Sequence, residues 1–401
     1  LTVDATRSVV FDDPVLEAAI RSGLEAVESM LRESVKSNYP FVTETSRYLV
    51  DAGGKRFRPL LVLLASQFGD PSSAGVVPAA VAIELTHLST LYHDDVMDEA
   101  SLRRGTRSAN SRWDNTVAIL TGDFLFARAS EITADLGTEA TRILAQTIAV
   151  LCEGQIRETL GPAQGADPVD HYLSVLGEKT GSLIATSGRL GALLSGAGPA
   201  AVDVMTRYGA TIGTAFQISD DLIDVVSETG MSGKTPGTDL REGIRTLPVL
   251  YALRGEPAGS PLHALLTGSL ADDGRHAAAL AALRGHPALA EARATLVAYA
   301  TEAQTIADDL PDTPARAALF ALADFVVART GPRRRAFPAA NAGPRPFAAG
   351  NARRRRGGES GQSGRSGTPA WRAAPIRPCR VPPIGCGDRR RAARPACAGR
   401  D

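Results

Sequence analysis

From Asp13 to Thr330 the chain has no run of alternating apolar and polar residues closed by hairpin turns, which a half-buried strand would need. The other period is present throughout. In "DPVLEAAIRSGLEAVESMLRESV", 13–35, apolar residues return at spacings of three and four, behind Asp13 as cap and Pro14 as first helical residue. Helical spacing recurs over 76–98, 116–135, 138–160, 168–195, 201–227, 245–254, 276–284, 286–308 and 312–329. The breaks "DAGG", "FGDPSS", "GPAQGADP", "SGAGPA" and "ETGMSGKTPG" carry turn chemistry. Self-similarity at the period of about 34 or 40 residues that marks a helical solenoid is missing. The pattern predicts one all-α globular domain over residues 1–330, without a sheet.

The zero net charge of the 401 residues hides a division. Residues 331–401 hold 17 Arg and no Lys against Glu359, Asp388 and Asp401, a net +14, so 1–330 carry −14. The same stretch has 10 of the 25 Pro, three of the four Cys and no apolar period. A polybasic arm for nucleic acid or membrane would be basic too. The abrupt change after "LFALADFVVART" fits better with a disordered Arg/Pro/Gly-rich tail, of the composition an out-of-frame or otherwise non-native segment would have. We expect no nucleic-acid partner. Cys152 stands alone in 1–330, so no disulfide framework is expected, and it reads as a core residue. No apolar run approaches the roughly 20 residues that span a bilayer, and no secretory signal opens the chain, which fits a cytoplasmic enzyme.

Two segments carry the chemistry. "LYHDDVMDEASLRRG", 91–105, concentrates acids and then cations, and "QISDDLIDV", 217–225, repeats the acidic spacing among apolar neighbours. At about 100° per residue, His87, Asp94 and Asp98 share one helix face, and Gln217, Asp220, Asp221 and Asp224 share an arc on theirs. Carboxylates at i and i+4 repel by roughly 0.2–0.5 kcal/mol on an exposed helix, and more when buried. A compensating cation is needed, either Lys or Arg at the surface or a divalent metal. An all-oxygen donor set favours Mg²⁺, which commonly bridges one or two carboxylates to substrate phosphates. Cations to cover the remaining phosphate charge are spread along the chain: Lys55, Arg56, Arg58, Arg103, Arg104, Lys179 with Thr180, and Lys234. A lone helical histidine usually packs; His87, seven before Asp94 on the same face, is assigned to the site, whereas Tyr92 and His93 are read as packing residues.

In chain order, "GGKRFRP", "HLSTLYHDDVMD" with "RRG", "GDFLFA", "EGQ", "EKTGSL", "FQISDDLIDV" and "GKTPGTDLREG" before "TLPVLYAL" resemble the trans-isoprenyl diphosphate synthases, the bacterial polyprenyl enzymes in particular. The resemblance spans roughly 10–330. It implies a bundle of ten or more helices around a deep central cavity (the isoprenoid synthase fold), a homodimer, and two acidic motifs that face each other and hold three Mg²⁺ on an allylic diphosphate. Carried over by position, the metal ligands are Asp94, Asp95, Asp98, Asp220, Asp221 and Asp224, with the first and last of each triad the direct ones. Isopentenyl diphosphate falls to Lys55, Arg58, His87 and Arg104. The allylic diphosphate, farnesyl or geranylgeranyl, falls to Arg103, Lys179, Thr180, Gln217 and Lys234. Asp94, Asp98, Arg103, Lys179 and Asp220 are the implied catalytic set. Many relatives have Lys where this chain has Ile244, followed by Arg245.

The implied reaction is head-to-tail condensation through an allylic carbocation. In the family, residues four and five before the first Asp form the floor of the product tunnel. Here they are Thr90 and Ser89, small and without a ring, and the motif lacks a two-residue insertion. Both features point to a long product of about C30–C50, as in menaquinone side chains, with peripheral membrane association for its release. Geranylgeranyl diphosphate is the alternative. A terpene cyclase would not need "GGKRFRP" for a second diphosphate, and a non-catalytic partner subunit would not keep both acidic motifs.

Overall fold

A computed structural model describes residues 11–227 and 236–331. Lys234 and all of the proposed tail beyond Gly331 lie outside the described residues. The fold opens with α1 (Pro14–Ser34), α2 (Pro40–Asp51), α3 (Phe57–Ser66) and α4 (Val76–Met97). A two-residue hairpin follows, β1 (Leu102–Arg103) and β2 (Thr106–Arg107), then α5 (Ala109–Arg112), α6 (Asn115–Asp135) and α7 (Thr138–Leu160). Helix α8 (Pro168–Leu176) runs through a π-turn (Gly177–Gly181) into α9 (Ser182–Leu194), and α10 (Pro199–Val226) is the longest element. The remainder is α11 (Thr238–Arg241), α12 (Leu247–Gly255), α13 (Pro261–Thr267), α14 (Asp273–Arg284), α15 (Pro287–Ala307) and α16 (Pro314–Ala328).

Local chemistry sets the ends. Asp13 caps α1 by accepting the Leu16 N–H at 2.7 Å, and Asp114, Asp167, Ser260, Asp272 and Thr313 cap α6, α8, α13, α14 and α16 in the same way. Leu60, Leu61, Leu64, Ile83, Leu85 and Leu88 of α3 and α4 are fully buried and, with Ile212 and Ile218 of α10 and Leu319 of α16, form one core. Burying each such side chain contributes roughly 1.5–3 kcal/mol. Helix α9 packs against α4 and against α10, so it spaces the two acid-bearing helices.

Three expectations need correction. The hairpin is a small sheet where none was expected: Leu102 pairs with Arg107 and Arg103 with Thr106. Its turn residues Arg104 and Gly105 have φ of 52° and 76°, the pair of positive values that a tight hairpin turn requires. Helices α2, α3, α5, α11 and α13 were not among the predicted segments. Cys152 is exposed, not core, on the α7 face that it shares with Ile156, one turn further on and also exposed. Among the described residues no helix is long and apolar enough to cross a membrane.

Candidate active site

The first acidic triad closes α4. Asp98 is its C-cap, donating its N–H to the Asp94 carbonyl at 2.8 Å, so the helical spacing of Asp94 and Asp98 survives at the end. Asp98 is exposed and Asp94 half-buried, whereas Asp95 is fully buried. Asp95 Oδ1 accepts from Arg103 Nε at 2.6 Å and its carbonyl from Asn110 Nδ2 at 2.9 Å, which ties the hairpin to the helix end. Burial pushes the Asp94 carboxyl up to about 6; Lys179 and Arg103 pull it down while Asp98 and Glu158 raise it.

The second triad is on α10. Asp220 pairs with Arg329, just past α16, whose guanidinium also lies 4.6 Å over the Phe216 ring. Asp221 is buried, takes the Tyr172 hydroxyl of α8 as donor, and accepts from Gln217 Nε2 at 3.0 Å. Burial pushes it up to about 7 even though Tyr172 and Gln217 favour its charge. Asp224 accepts from the Thr238 and Asp239 N–H groups at 3.1 and 3.2 Å. In both triads the middle acid is turned into the protein and anchored there, by Arg103 in one and by Tyr172 and Gln217 in the other.

The π-turn joins the triads. Gly154 of "EGQ" lets α7 approach it: a β-carbon at 154 would stand 2.8 Å from Glu178 Cβ and 2.9 Å from the Lys179 nitrogen. Inserting a π-turn breaks helical phase and puts consecutive side chains to unusual use, which is why such turns recur at functional sites. Here Lys179 pairs with Glu158 at 2.5 Å and acts electrostatically on Asp94, while Thr180 Oγ1 donates to Gln217 Oε1 at 3.1 Å. One residue serves each triad.

A cation cluster completes the site. Arg56, at φ 47°, is buried and committed to Glu28, to Glu84 at 2.7 Å and to the Val50 carbonyl; burial opposes its charge, but the two glutamates outweigh that and raise its pKa. Among the described residues Arg58 has no such partner. Burial lowers it to about 10, Arg104 adds to the effect, Glu84 and Asp220 oppose it, and its Nε is buried without a hydrogen bond. Burial, then Arg58 and Arg104, hold the His87 imidazole well below its usual range. Arg104 donates to the Leu49 carbonyl at 2.9 Å and to that of Gly53. Lys55 Nζ lies 5.9 Å from the Phe216 ring, on the Asp220 helix. Cations crowded this closely, one with an orphaned donor, are the complement of a polyanion.

Ser89 is buried and Thr90 half-buried, about one turn before Asp94, with Thr90 Oγ1 donating to the His87 carbonyl. Tyr92 packs as expected and donates to the Thr45 carbonyl; His93 packs over Gly122. Ile244 and Arg245 are both exposed. Tyr172 and Arg329 were missed. Tyr172 lies seven before Lys179, two helical turns away, and Arg329 is the lone cation closing an apolar helix, so each left a faint signal.

Among the described residues no three His, Cys, Asp or Glu side chains converge as a protein-only metal cage would require. Carboxylates on two helices, oxygen-only and held partly out of water, fit instead a cation shared with a ligand's own oxygens and with water.

A sequence model described as "Polyprenyl synthetase" matches residues 39–283. The chain belongs to that family. It is 49% identical to the nonaprenyl diphosphate synthase of Mycobacterium tuberculosis over 80% of its own length and 96% of the relative's. The dimethylallyltranstransferase of the same organism is 43% identical, with 80% and 98% covered. Among solved structures, the geranylgeranyl pyrophosphate synthase of Corynebacterium glutamicum, complexed with calcium and isoprenyl diphosphate, superposes with a TM-score of 0.72 at 48% identity, covering 81% of this chain and 100% of that one. The protein is therefore a prenyltransferase with the all-α fold of isoprenyl diphosphate synthases.

Proposed function

We propose that this polyprenyl synthetase condenses isopentenyl diphosphate head to tail (1'-4) with an allylic diphosphate in a Mg²⁺-dependent reaction, giving an all-trans product of about C30–C50. The observation that carries the reading is the pairing of two acidic triads through the π-turn, beside a separate cluster of cations in which the buried Arg58 Nε has no hydrogen bond among the described residues. That arrangement offers two diphosphate sites, one reached through metal and one through Lys and Arg.

Asp94 and Asp98 with Asp220 and Asp224 would hold the cations, and Asp95 and Asp221 contribute from the buried side. Mg²⁺ bound there supplies the charge that stabilises the departing diphosphate. Arg103, Lys179, Thr180, Gln217 and Lys234 take the remaining oxygens of the allylic group. Lys55, Arg58, His87 and Arg104 orient isopentenyl diphosphate so that its terminal alkene carbon meets the allylic carbon. The allylic C–O bond breaks, the new C–C bond forms, and one proton and one diphosphate leave. Water has to be kept from the allylic cation, which it would quench.

Small side chains at Ser89 and Thr90, with 49% identity to a nonaprenyl enzyme, support the long product, for which a menaquinone side chain is the use we favour. The 48% identity to a geranylgeranyl enzyme supports the shorter alternative. Purified protein given isopentenyl diphosphate, farnesyl diphosphate and Mg²⁺, with products sized by reversed-phase chromatography, separates the two. Species of C30 or longer are expected, and a C20 product alone contradicts the long-chain reading. A homodimer is supported by the outward apolar side chains of α6 and α7, Leu120 (61% exposed) and Ile156 (58%) among them.

A further inference from the structure

Asp224 is oriented from outside its own helix. Its two carboxylate oxygens accept from the N–H groups of Thr238 and Asp239, and its carbonyl accepts from Gly237 N–H at 2.8 Å. Those donors belong to the start of α11, a four-residue helix too short to hold its shape alone. Helix α14 holds it. His276, 5% exposed, places Nε2 at 2.8 Å from the Gly237 carbonyl and Nδ1 at 3.1 Å from Arg241 Nη2. A guanidinium only donates, so Nδ1 is the acceptor and Nε2 carries the proton that binds Gly237. Arg241 is itself fixed by Asp273 at 2.7 Å. The approach demands glycine: φ at 237 is +72°, and a β-carbon there would stand 2.8 Å from His276 Nε2. Two turns further along α14, Arg284 donates to the carbonyls of Val225 at 2.7 Å and Ser227 at 2.5 Å. One helix thus grips the chain just after Asp224 and again at the residue that precedes its capping amides.

We propose that His276 is a positioning residue for Asp224 and, through it, for the divalent cations of the second triad. This rests on the metal reading given above. His276 touches no reacting atom; it fixes the Gly237 carbonyl, hence the two amides, hence the direction of the carboxylate. Partners of this kind typically change metal affinity about 10–100-fold when removed.

The test is Mn²⁺ binding followed by electron paramagnetic resonance, with inorganic diphosphate present, in the full chain. His276→Gln keeps a donor where Nε2 stands and is expected to bind Mn²⁺ within about threefold of wild type. His276→Asn keeps an acceptor toward Arg241 but loses Gly237, and is expected to bind at least about tenfold more weakly while melting close to His276→Gln. Gly237→Ala, which drives the ring off the carbonyl, is expected to match His276→Asn and serves if that variant does not fold. Wild-type affinity in His276→Asn or Gly237→Ala, or equal weakening in the Gln and Asn variants, overturns the proposal and leaves the metal reading standing. A wild-type protein that binds no Mn²⁺ overturns both.

Discussion

Burial holds the Asp94 carboxyl at about 6, and of its charged neighbours Lys179 and Arg103 favour ionisation while Asp98 and Glu158 oppose it. The unfolded reference is 3.8, so the folded state prefers the protonated acid. The stabilising contribution is full below about pH 4 and is lost as pH rises through 6; Asp221, pushed up to about 7, follows the same sign over a slightly higher window. Asp94→Asn removes the cost. At pH 8 without metal it is expected to raise the melting temperature by about 2 °C, on the order of 1 kcal/mol after allowing for solvent screening, with the gap closing near pH 4. A variant no more stable than wild type at pH 8 would show that Asp94 is not held against its charge. Asp220 meets the same problem through Arg329, a cation already in the protein. Gln217, Asp221 and Tyr172 form a hydrogen-bonded chain that fixes the middle acid while leaving its neighbours to the ligand side.

Element by element, the site depends on α7 lying close to the π-turn. Gly154→Val would push branched carbons into Glu178 and the Lys179 backbone, moving Lys179 off its place between Glu158 and Asp94. Overpacking of this kind costs about 1–3 kcal/mol. We expect the allylic diphosphate KM to rise more than the isopentenyl diphosphate KM, and steady-state kinetics with each substrate varied in turn checks it; equal effects on both would place the damage elsewhere. The long amphipathic helices were legible: α4, α6, α7, α10, α15 and α16 start and end within about two residues of their predicted bounds. Helix α3, "FRPLLVLLAS", is apolar on every side and so has no period to read, and α2 buries Thr45 and Ser46 on its core face. The hairpin depends on a positive φ at Arg104, which no arginine announces. Within the site, the acidic triads stand out because carboxylates at i and i+4 on an apolar helix repel unless a cation lies between them. Tyr172 and His276 do not stand out, since their partners lie 49 and 39 residues away and only the fold brings them together.

At the scale of the whole molecule, α6 and α7 leave Ile119, Leu120, Phe126, Val150, Ile156 and Leu160 exposed, apolar side chains of the kind a subunit interface would cover. Leu120→Asp combined with Ile156→Lys is expected to convert a dimer to a monomer in size-exclusion chromatography with light scattering. An unchanged mass at dimer size would locate the contact on another face. On the proposed mechanism, two triads on separate helices act as one device, gripping a diphosphate through magnesium until its bond to carbon breaks. The measurement closest to that claim is incorporation of labelled isopentenyl diphosphate into farnesyl diphosphate by wild type, Asp94→Ala and Asp220→Ala, each with Mg²⁺ and again with excess EDTA. This mechanism requires robust incorporation by wild type with Mg²⁺ and a loss of orders of magnitude in either variant or in EDTA, with helical circular dichroism retained. Wild-type rates in a single-triad variant, or full turnover in EDTA, would contradict it.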